Sequence, residues 1–332
     1  MAVFFEQTNL YAEQKRGPEE SSVWYPVTTD EMEGWVSLYL TMGLVNKPNL
    51  SSYWRTDVVL STPFFPSIMA RDRFLQILRY LHFADSTLAP RVDSADYNKL
   101  YKIQPFLDLI IPSFQQVYKP TSQLATDKTL IKFKGKVHFR QFLPIKPARF
   151  GIKTFTLAES TSGYLLNSKI YTGKEGNAVQ KDLGRKAVMS VIEPYLDMGY
   201  YVFMDNYYTF MTLFEELEER KTLACGTVRS KRQGLLKEIG GVKEKKVKQH
   251  KRKESLYRQK GNVTCMTWRD RKPVSVLATA PTTTTDEGFV QHSIKVNGKW
   301  EKKGFPRPGV VHLYNTYMSG VDLSDQRVVS YA

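Results

Sequence analysis

The segment Tyr201–Asn206, which reads YVFMDN, is an apolar run that ends in a carboxylate and a carboxamide. Such a run is typical of a short strand buried on both faces, with the polar pair just beyond its end. Two more aspartates lie beside apolar segments far away in the chain, Asp127 in LATD and Asp322 in YMSGVD. Carboxylates that a fold brings together can hold divalent ions, and hard oxygen ligands suit Mg²⁺ or Mn²⁺. Asp127, Asp205 and Asp322 are therefore the candidate catalytic and metal-binding residues.

Strands and helices are predicted around this segment from the spacing of apolar residues. In chain order they are three strands, beginning with a pair that turns near Gly135, then a helix, a strand, a helix and a strand. This is the order of an α/β domain of the ribonuclease-H-like type, in which the first and fourth strands are neighbours. Asp127 and Asp205 are therefore predicted to face each other, while a later helix adds Asp322 and, one turn on, Asp325. The strand pair lies near residues 127–139 and continues at 155–157, the third strand lies near 164–171, and the later elements lie near 177–196, 200–204, 211–217 and 222–228.

Each aspartate also has an ordinary structural interpretation. Asp205 with Asn206 before an apolar helix is typical of a helix N-cap, and the Gly-Val-Asp of residues 320–322 has the same explanation. Asp127 alone could be any carboxylate at the edge of a strand. The three residues occur together, in the order that the topology needs and in a basic chain, so we favour the metal site.

The first third of the chain is predicted to be helical. Thr28 and Glu31 have the spacing of a capping box at a helix start. Helical spacing then predicts a buried face made of Met32, Trp35, Val36, Tyr39 and Leu40. The same spacing recurs further on, so residues 26–120 are predicted to form a helical region after an N-terminal extension of residues 1–25.

Charge is unevenly distributed along this chain of 332 residues, which has a formal net charge of +15. Residues 221–260 contain fourteen Lys or Arg and three Glu, which gives +11 of that total. Clustered basic residues release counterions when they meet phosphates, so DNA is the expected partner. A solvated loop is the ordinary alternative for such a run. The run at residues 243–253 also points to the nucleus.

Composition excludes several classes of protein. Cys225 and Cys265 are the only cysteines and lack paired spacing, so a disulfide framework is excluded and a zinc module is not expected. No apolar run approaches the roughly 18 residues of a membrane helix. Residues 1–10 do not have the pattern of a signal peptide. We expect a globular, soluble, intracellular protein with no membrane partner.

Motifs are spread along nearly the whole chain. The most specific are MDNYYT at Met204–Thr209 and GVDLSDQ at Gly320–Gln326; others are YWRTD at 53–57, MARDRF at 69–74, LRYLHF at 78–83 and RFGIK at 149–153. Together they resemble the piggyBac-type transposases and their domesticated derivatives. The early motifs resemble the family's helical DNA-binding region, and the later ones resemble its catalytic core.

This resemblance implies an enzyme of the DDD transposase type. It makes Asp127, Asp205 and Asp322 the catalytic, metal-binding residues and Asp325 a supporting acidic residue, with Mg²⁺ or Mn²⁺ as cofactor. The implied activity is cut-and-paste movement of a DNA element, with nicking and hairpin closure at the element ends and joining at a TTAA target. The implied partners are double-stranded DNA and a second copy of the chain, since two DNA ends are handled together.

The resemblance also implies a mostly β, basic insertion at residues 229–308. The ribonuclease-H-like core would then comprise residues 121–228 and 309–332, the latter carrying the third aspartate and ending early. The basic residues expected to contact DNA are Arg229, Lys231, Arg232, Lys245, Lys246, Lys248, Lys251, Arg252 and Lys253.

Three departures from the family pattern bear on activity. Lys128 follows Asp127 where the family commonly has glutamate, so its ammonium would either weaken metal binding or contact phosphate. Ser319 replaces the first glycine of the usual Met-Gly-Gly, and the chain ends at Ala332 where the family continues with further helices. The alternative function is therefore a domesticated, catalytically impaired DNA-binding protein.

Overall fold

The computed structural model describes residues 2–17, 23–144, 149–173, 182–229, 232, 255–270, 272–279 and 288–331. Contacts divide the chain into two compact units. The first unit comprises Met1–Ser113 with Arg327–Ala332, and the second comprises Phe114–Gln326. No helix in these described residues is both long enough and apolar enough to cross a membrane.

The first unit is helical, as the sequence predicts. Its core is formed by apolar side chains of several short helices, among them Met32, Trp35, Phe74 and Ile77. The helices are α1 (Ala2–Lys15), α2 (Thr29–Leu44), α3 (Phe64–Ile68), α4 (Arg71–Tyr80) and α5 (Gln104–Val117), of which α5 includes residues of both units.

Helix α2 begins at the predicted capping box. The side chain of Thr28 accepts a hydrogen bond from the backbone N–H of Glu31, which satisfies one of the unpaired donors of the first turn. The predicted buried face is wrong at two positions, because Tyr39 and Leu40 are 56% and 68% exposed. The buried residues instead lie three apart and end at Leu38, so the packed face turns away from those two side chains.

Arg73, in the MARDRF motif, is fixed inside this unit. It is buried, and its guanidinium donates two hydrogen bonds of 2.6 Å to the carboxylate of Glu31. The same guanidinium lies over the rings of Trp24 and Tyr25, at 4.8 and 3.7 Å from their centroids. Such paired and stacked geometry offsets the cost of burying the charge. Arg73 therefore joins α4 to α2 inside this core.

The second unit contains a large mixed sheet with helices on both faces. Its strands run in the order β2-β3-β1-β5-β6-β9-β8-β7, with β4 also paired to β3. The strands are β1 (Gln123–Lys132), β2 (Gln141–Phe142), β3 (Phe150–Glu159), β4 (Leu165–Ile170), β5 (Tyr201–Met204), β6 (Leu223–Thr227), β7 (Ser255–Lys260), β8 (Val263–Arg269) and β9 (Pro273–Ala278). The helices are α6 (Leu183–Ile192), α7 (Met211–Glu219), α8 (Gly309–Tyr317) and α9 (Gly320–Ser330), and β10 (Gly288–Val296) with β11 (Lys299–Arg307) forms a separate hairpin.

Apolar residues on the two faces of the central strands belong to different clusters. Leu124 of β1 packs with residues of α6 and α7, whereas its neighbour Ala125 packs with Val321 of α9. This alternation follows from the period of two along a strand. The centre of the sheet is therefore covered on both sides, which is why β5 is buried at every residue.

The predicted start of the first strand is wrong. Strand β1 begins at Gln123, so Asp127 lies inside the strand. The predicted pair turning near Gly135 is also wrong, because β1 pairs antiparallel with β3, which begins at Phe150. Leu124, Ala125 and Thr126 are all buried, so the first part of β1 has no alternation of apolar and polar residues that would mark it as a strand.

Strands β7, β8 and β9, in the predicted insertion, extend the central sheet. Strand β9 pairs antiparallel with β6, and β8 follows on its other side. The cysteines lie on β6 and β8, where both thiols are free and buried, and burial raises the pKa of each to about 12.

The predicted helix of residues 177–196 is described only from residue 182, with α6 ending at Ile192.

Candidate active site

The central parallel strands bring Asp127 and Asp205 together. In the pairing of β1 with β5, Thr126 is opposite Met204, so the next residue of each chain segment is an aspartate at the same level of the sheet. The Nζ atom of Lys128 lies 3.8 Å from Asp127 Oδ1 and 3.5 Å from Asp205 Oδ2. The three side chains are 19%, 24% and 31% exposed for Asp127, Asp205 and Lys128. They form a partly buried, charged cluster that solvent can reach.

A tight turn fixes Asp205. Its Oδ1 atom accepts a hydrogen bond of 2.8 Å from the backbone N–H of Tyr207, and its carbonyl accepts one of 2.8 Å from the hydroxyl of Thr209. Helix α7 begins only at Met211, so Asp205 is not its N-cap. The simple capping explanation for this aspartate is thereby excluded, and its second carboxylate oxygen is directed to Lys128.

Helix α9 carries the other two predicted acidic residues. Its first residues pack on the sheet, where a Cβ atom added to Gly320 would lie 2.7 Å from the carbonyl of Glu159. Asp325 Oδ1 accepts a hydrogen bond of 2.7 Å from the hydroxyl of Thr129 on β1. Asp322 is exposed on the first turn. The structure thus joins Asp325 to the strand of Asp127, and leaves Asp322 at the surface.

The donor chemistry of this cluster fits a hard divalent cation. Asp127 and Asp205 present carboxylate oxygens from adjacent strands, the ligands that Mg²⁺ and Mn²⁺ prefer. Among the described residues, however, no group of three or more His, Cys, Asp or Glu side chains is arranged to hold a metal ion. Asp322 as third ligand therefore stays a prediction.

Aromatic rings and a second lysine surround the carboxylates. The Nζ atom of Lys153 lies 4.7 Å from the ring centre of Phe155 and 5.6 Å from that of Tyr207, and Lys128 Nζ is 5.5 Å from the same Tyr207 ring. Burial, together with the positive charge of Lys128, lowers the pKa of Lys153. Tyr208 is fully buried, and burial together with the charges of Asp127 and Asp205 raises the pKa of its phenol. Sequence reasoning missed these residues, although Lys153, Tyr207 and Tyr208 lie within the motifs of residues 149–153 and 204–209.

Two of the predicted DNA-binding residues are described. Arg229 donates a hydrogen bond of 2.8 Å from Nε to Oδ1 of Asn206. Arg232 donates to the carbonyls of Asn206 and Tyr207, and its guanidinium lies 4.2 Å from the ring centre of Phe210. These arginines therefore support the turn that holds Asp205, a role that the sequence did not indicate. The other predicted basic residues lie outside the described residues: Lys231, Lys245, Lys246, Lys248, Lys251, Arg252 and Lys253.

Glu159, at the end of β3, is a further residue that sequence reasoning missed. Its buried carboxylate accepts hydrogen bonds from the hydroxyls of Tyr118, Thr121 and Ser162 and from the backbone N–H groups of Thr121 and Ser162. Burial alone raises the pKa of this carboxyl, yet the hydrogen bonds outweigh it and bring the pKa from 4.5 to about 2. Glu159 thereby fixes the segment on which Gly320 and the start of α9 pack.

The lowered pKa of Glu159 makes the stability of the chain dependent on pH. Because the pKa of this carboxyl is lower in the folded state, its ionised form stabilises the fold fully at pH values above the unfolded pKa near 4.5. That stabilisation is lost as the pH falls towards the folded pKa of about 2. Between pH 7 and pH 3, we expect the wild type to lose about 2 kcal/mol more unfolding free energy than Glu159→Gln. Urea denaturation at both pH values measures this difference. Glu33→Gln, at an exposed position, is the control and should keep the wild-type pH dependence.

This chain is similar to known transposases and to proteins derived from them. The family model described as "Transposase IS4" matches residues 3–332. PiggyBac transposable element-derived proteins 3 and 2 of Homo sapiens are 25% and 24% identical to this chain over 98% of its length, and the match covers 53% of each human protein. The chain thus spans about half the length of these curated relatives.

A solved structure shares the fold. The cryo-EM structure of a piggyBac transposase synaptic complex with hairpin DNA matches 99% of this chain with a TM-score of 0.81 and 23% sequence identity. The match covers 65% of the solved chain. The mixed α/β architecture predicted from the order of elements is therefore confirmed.

Proposed function

We propose that this chain, which belongs to the transposase IS4 family and has piggyBac-derived proteins among its relatives, is a piggyBac-like DNA transposase domain. In this proposal the domain cleaves and transfers DNA strands with the help of a divalent metal ion, Mg²⁺ or Mn²⁺. The observation that carries the proposal is the meeting of Asp127 and Asp205 at one level of adjacent parallel strands.

The residues of the chain have distinct tasks in this proposal. Asp127 and Asp205 would hold the ion, with Asp322 as third ligand and Asp325 as a supporting acid. When bound, such ions polarise a phosphate oxygen and activate the attacking hydroxyl or water. The turn hydrogen bonds at Asp205 keep its carboxylate in place, so this side chain itself needs little rearrangement before chemistry.

The partner in this proposal is double-stranded DNA at transposon ends and at a TTAA target. The net charge of +15 supports a polyanionic partner. The related piggyBac transposase was solved as a complex with hairpin DNA, which supports the same class of ligand. A homodimer and a nuclear location are part of the proposal and rest on the family resemblance and the basic run.

Nicking of supercoiled plasmid tests the proposed chemistry without knowledge of the cognate DNA ends. We expect the purified chain with Mn²⁺ to convert supercoiled plasmid to open circles, and we expect EDTA to stop the reaction. The double variant Asp205→Asn, Asp322→Asn is the control and should bind DNA without nicking it. Equal nicking by wild type and control would refute the assignment of these carboxylates.

A second candidate function is that of a domesticated, catalytically impaired protein that binds DNA without cleaving it. The specific observation in its favour is the ammonium of Lys128, which already lies within ion-pair distance of both carboxylates. Absence of nicking, combined with salt-sensitive binding to duplex DNA, would support this candidate. Plasmid nicking therefore discriminates between the two functions.

A further inference from the structure

Lys128 contacts the same two carboxylates that the proposed metal ion needs. Its Nζ atom is within 4 Å of Asp127 Oδ1 and of Asp205 Oδ2, so one cation bridges both strands. The two carboxylates are buried enough, at 19% and 24% exposure, for their charges to be incompletely screened by water. The ammonium therefore stabilises the pair of like charges in the metal-free chain.

The surroundings of Lys128 hold its ammonium near this position. The ring of Tyr207 lies 5.5 Å from Nζ on one side, and Lys153 contributes a second positive charge nearby that repels it. Movement towards Lys153 is electrostatically unfavourable, while the carboxylates attract it. Lys128 is thus a specific contact of this site and not a freely moving surface lysine.

The geometry points to Lys128 as an internal counterion that competes with divalent metal ions for Asp127 and Asp205. A divalent ion held by both carboxylates would stand within a few ångströms of the ammonium, and like charges at that separation repel. Metal binding therefore requires that the Lys128 side chain rotate away and that two ion pairs break. This inference rests on the proposed function, and it adds a reason why the DNA-free chain should bind metal weakly.

Direct measurement of Mn²⁺ binding tests the inference independently of DNA chemistry. The intact chain is titrated with Mn²⁺, and free Mn²⁺ is followed by its electron paramagnetic resonance signal. The variant Lys128→Met removes the charged terminal group but keeps an unbranched side chain that is only one atom shorter. We expect it to bind Mn²⁺ about 10-fold more tightly than wild type, because two partly exposed ion pairs no longer have to break.

Two matched variants separate the effect of the Lys128 contacts with Asp127 and Asp205 from the general effect of positive charge near the site. Lys128→Arg keeps a cation at the same position and should retain an affinity within about 3-fold of wild type. Lys153→Met removes one positive charge from the same neighbourhood but leaves the Lys128 contacts, so its gain should also stay below about 3-fold. An equal gain in Lys153→Met and Lys128→Met would overturn the inference in favour of a general charge effect.

The remaining outcomes distinguish failure of this inference from failure of the proposed function. The substitution Asp205→Asn, introduced into wild type and into Lys128→Met, should remove the Mn²⁺ site that Asp127 and Asp205 share in both backgrounds. If Asp205→Asn removes that site but Lys128→Met binds Mn²⁺ as wild type does, the metal site stands and the counterion role is overturned. If Lys128→Met binds no Mn²⁺ that depends on Asp205, the metal site itself is refuted, and the inference with it.

Discussion

Replacement of Asp322 by asparagine is expected to reduce Mn²⁺-dependent nicking by at least about 100-fold. Loss of a residue that only hydrogen-bonds to a metal ligand already lowers metal affinity or activity about 10- to 100-fold, and loss of a ligand should cost more. The melting temperature should remain within about 2 °C of wild type, since Asp322 is exposed and exposed substitutions change stability little. Plasmid nicking and thermal unfolding of the same preparation measure the two effects. A loss of activity without a loss of stability is the signature of a residue needed for the reaction alone.

Asp325→Asn is the matched variant on the same helix. The structure gives Asp325 a hydrogen bond from Thr129, and an asparagine oxygen can still accept it. We therefore expect a smaller loss of nicking, about 10-fold, from the missing negative charge. A larger loss in Asp325→Asn than in Asp322→Asn would contradict the assignment and make Asp325 the third carboxylate, which is the one that the structure ties to β1.

Gly226→Ala is expected to destabilise the second unit by about 2–3 kcal/mol. Gly226 lies on β6 opposite Met204, where a Cβ atom would be 2.8 Å from the Met204 carbonyl and would also press on the hydroxyl of Thr209. Backbone atoms of a central strand cannot move aside, so the added methyl group forces the strands apart. Because Thr209 holds the carbonyl of Asp205, the same change should weaken Mn²⁺ binding.

Thermal unfolding and Mn²⁺ titration of Gly226→Ala measure both consequences. Gly17→Ala is the control, because a Cβ atom at that position meets nothing within 4 Å. A wild-type melting temperature in Gly226→Ala would show that β5 and β6 can separate without cost. The tight packing described for these strands would then be contradicted.

The elements from α6 to β6 could be predicted from sequence because this part of the chain alternates between apolar runs and amphipathic helices. Strand β5 and helix α7 lie where the pattern placed them, and β1 and β5 are neighbours as that order requires. The start of β1 could not be predicted, because its first residues are buried on both faces and lack alternation. Burial on both faces is itself a product of the helices that pack there, which the local sequence does not contain.

The candidate site was predictable only in its carboxylates. Asp127 and Asp205 follow from topology, whereas the bond between Thr129 and Asp325 joins residues 196 positions apart. The hydrogen-bonded burial of Glu159 and the contacts of Lys128 likewise depend on side-chain packing between distant segments. The order of elements predicted that β1 and β5 meet, but it did not determine which side chains touch across the strands.

The two buried thiols have a practical consequence for spectroscopy. Cys225 and Cys265 are free, and their pKa values of about 12 leave almost no thiolate at neutral pH. Maleimide dyes react with the thiolate, so the native cysteines should be labelled slowly and background fluorescence should be low. A cysteine introduced at an exposed position such as Glu33 would then carry a fluorophore or spin label at a single known site, without removal of either native cysteine.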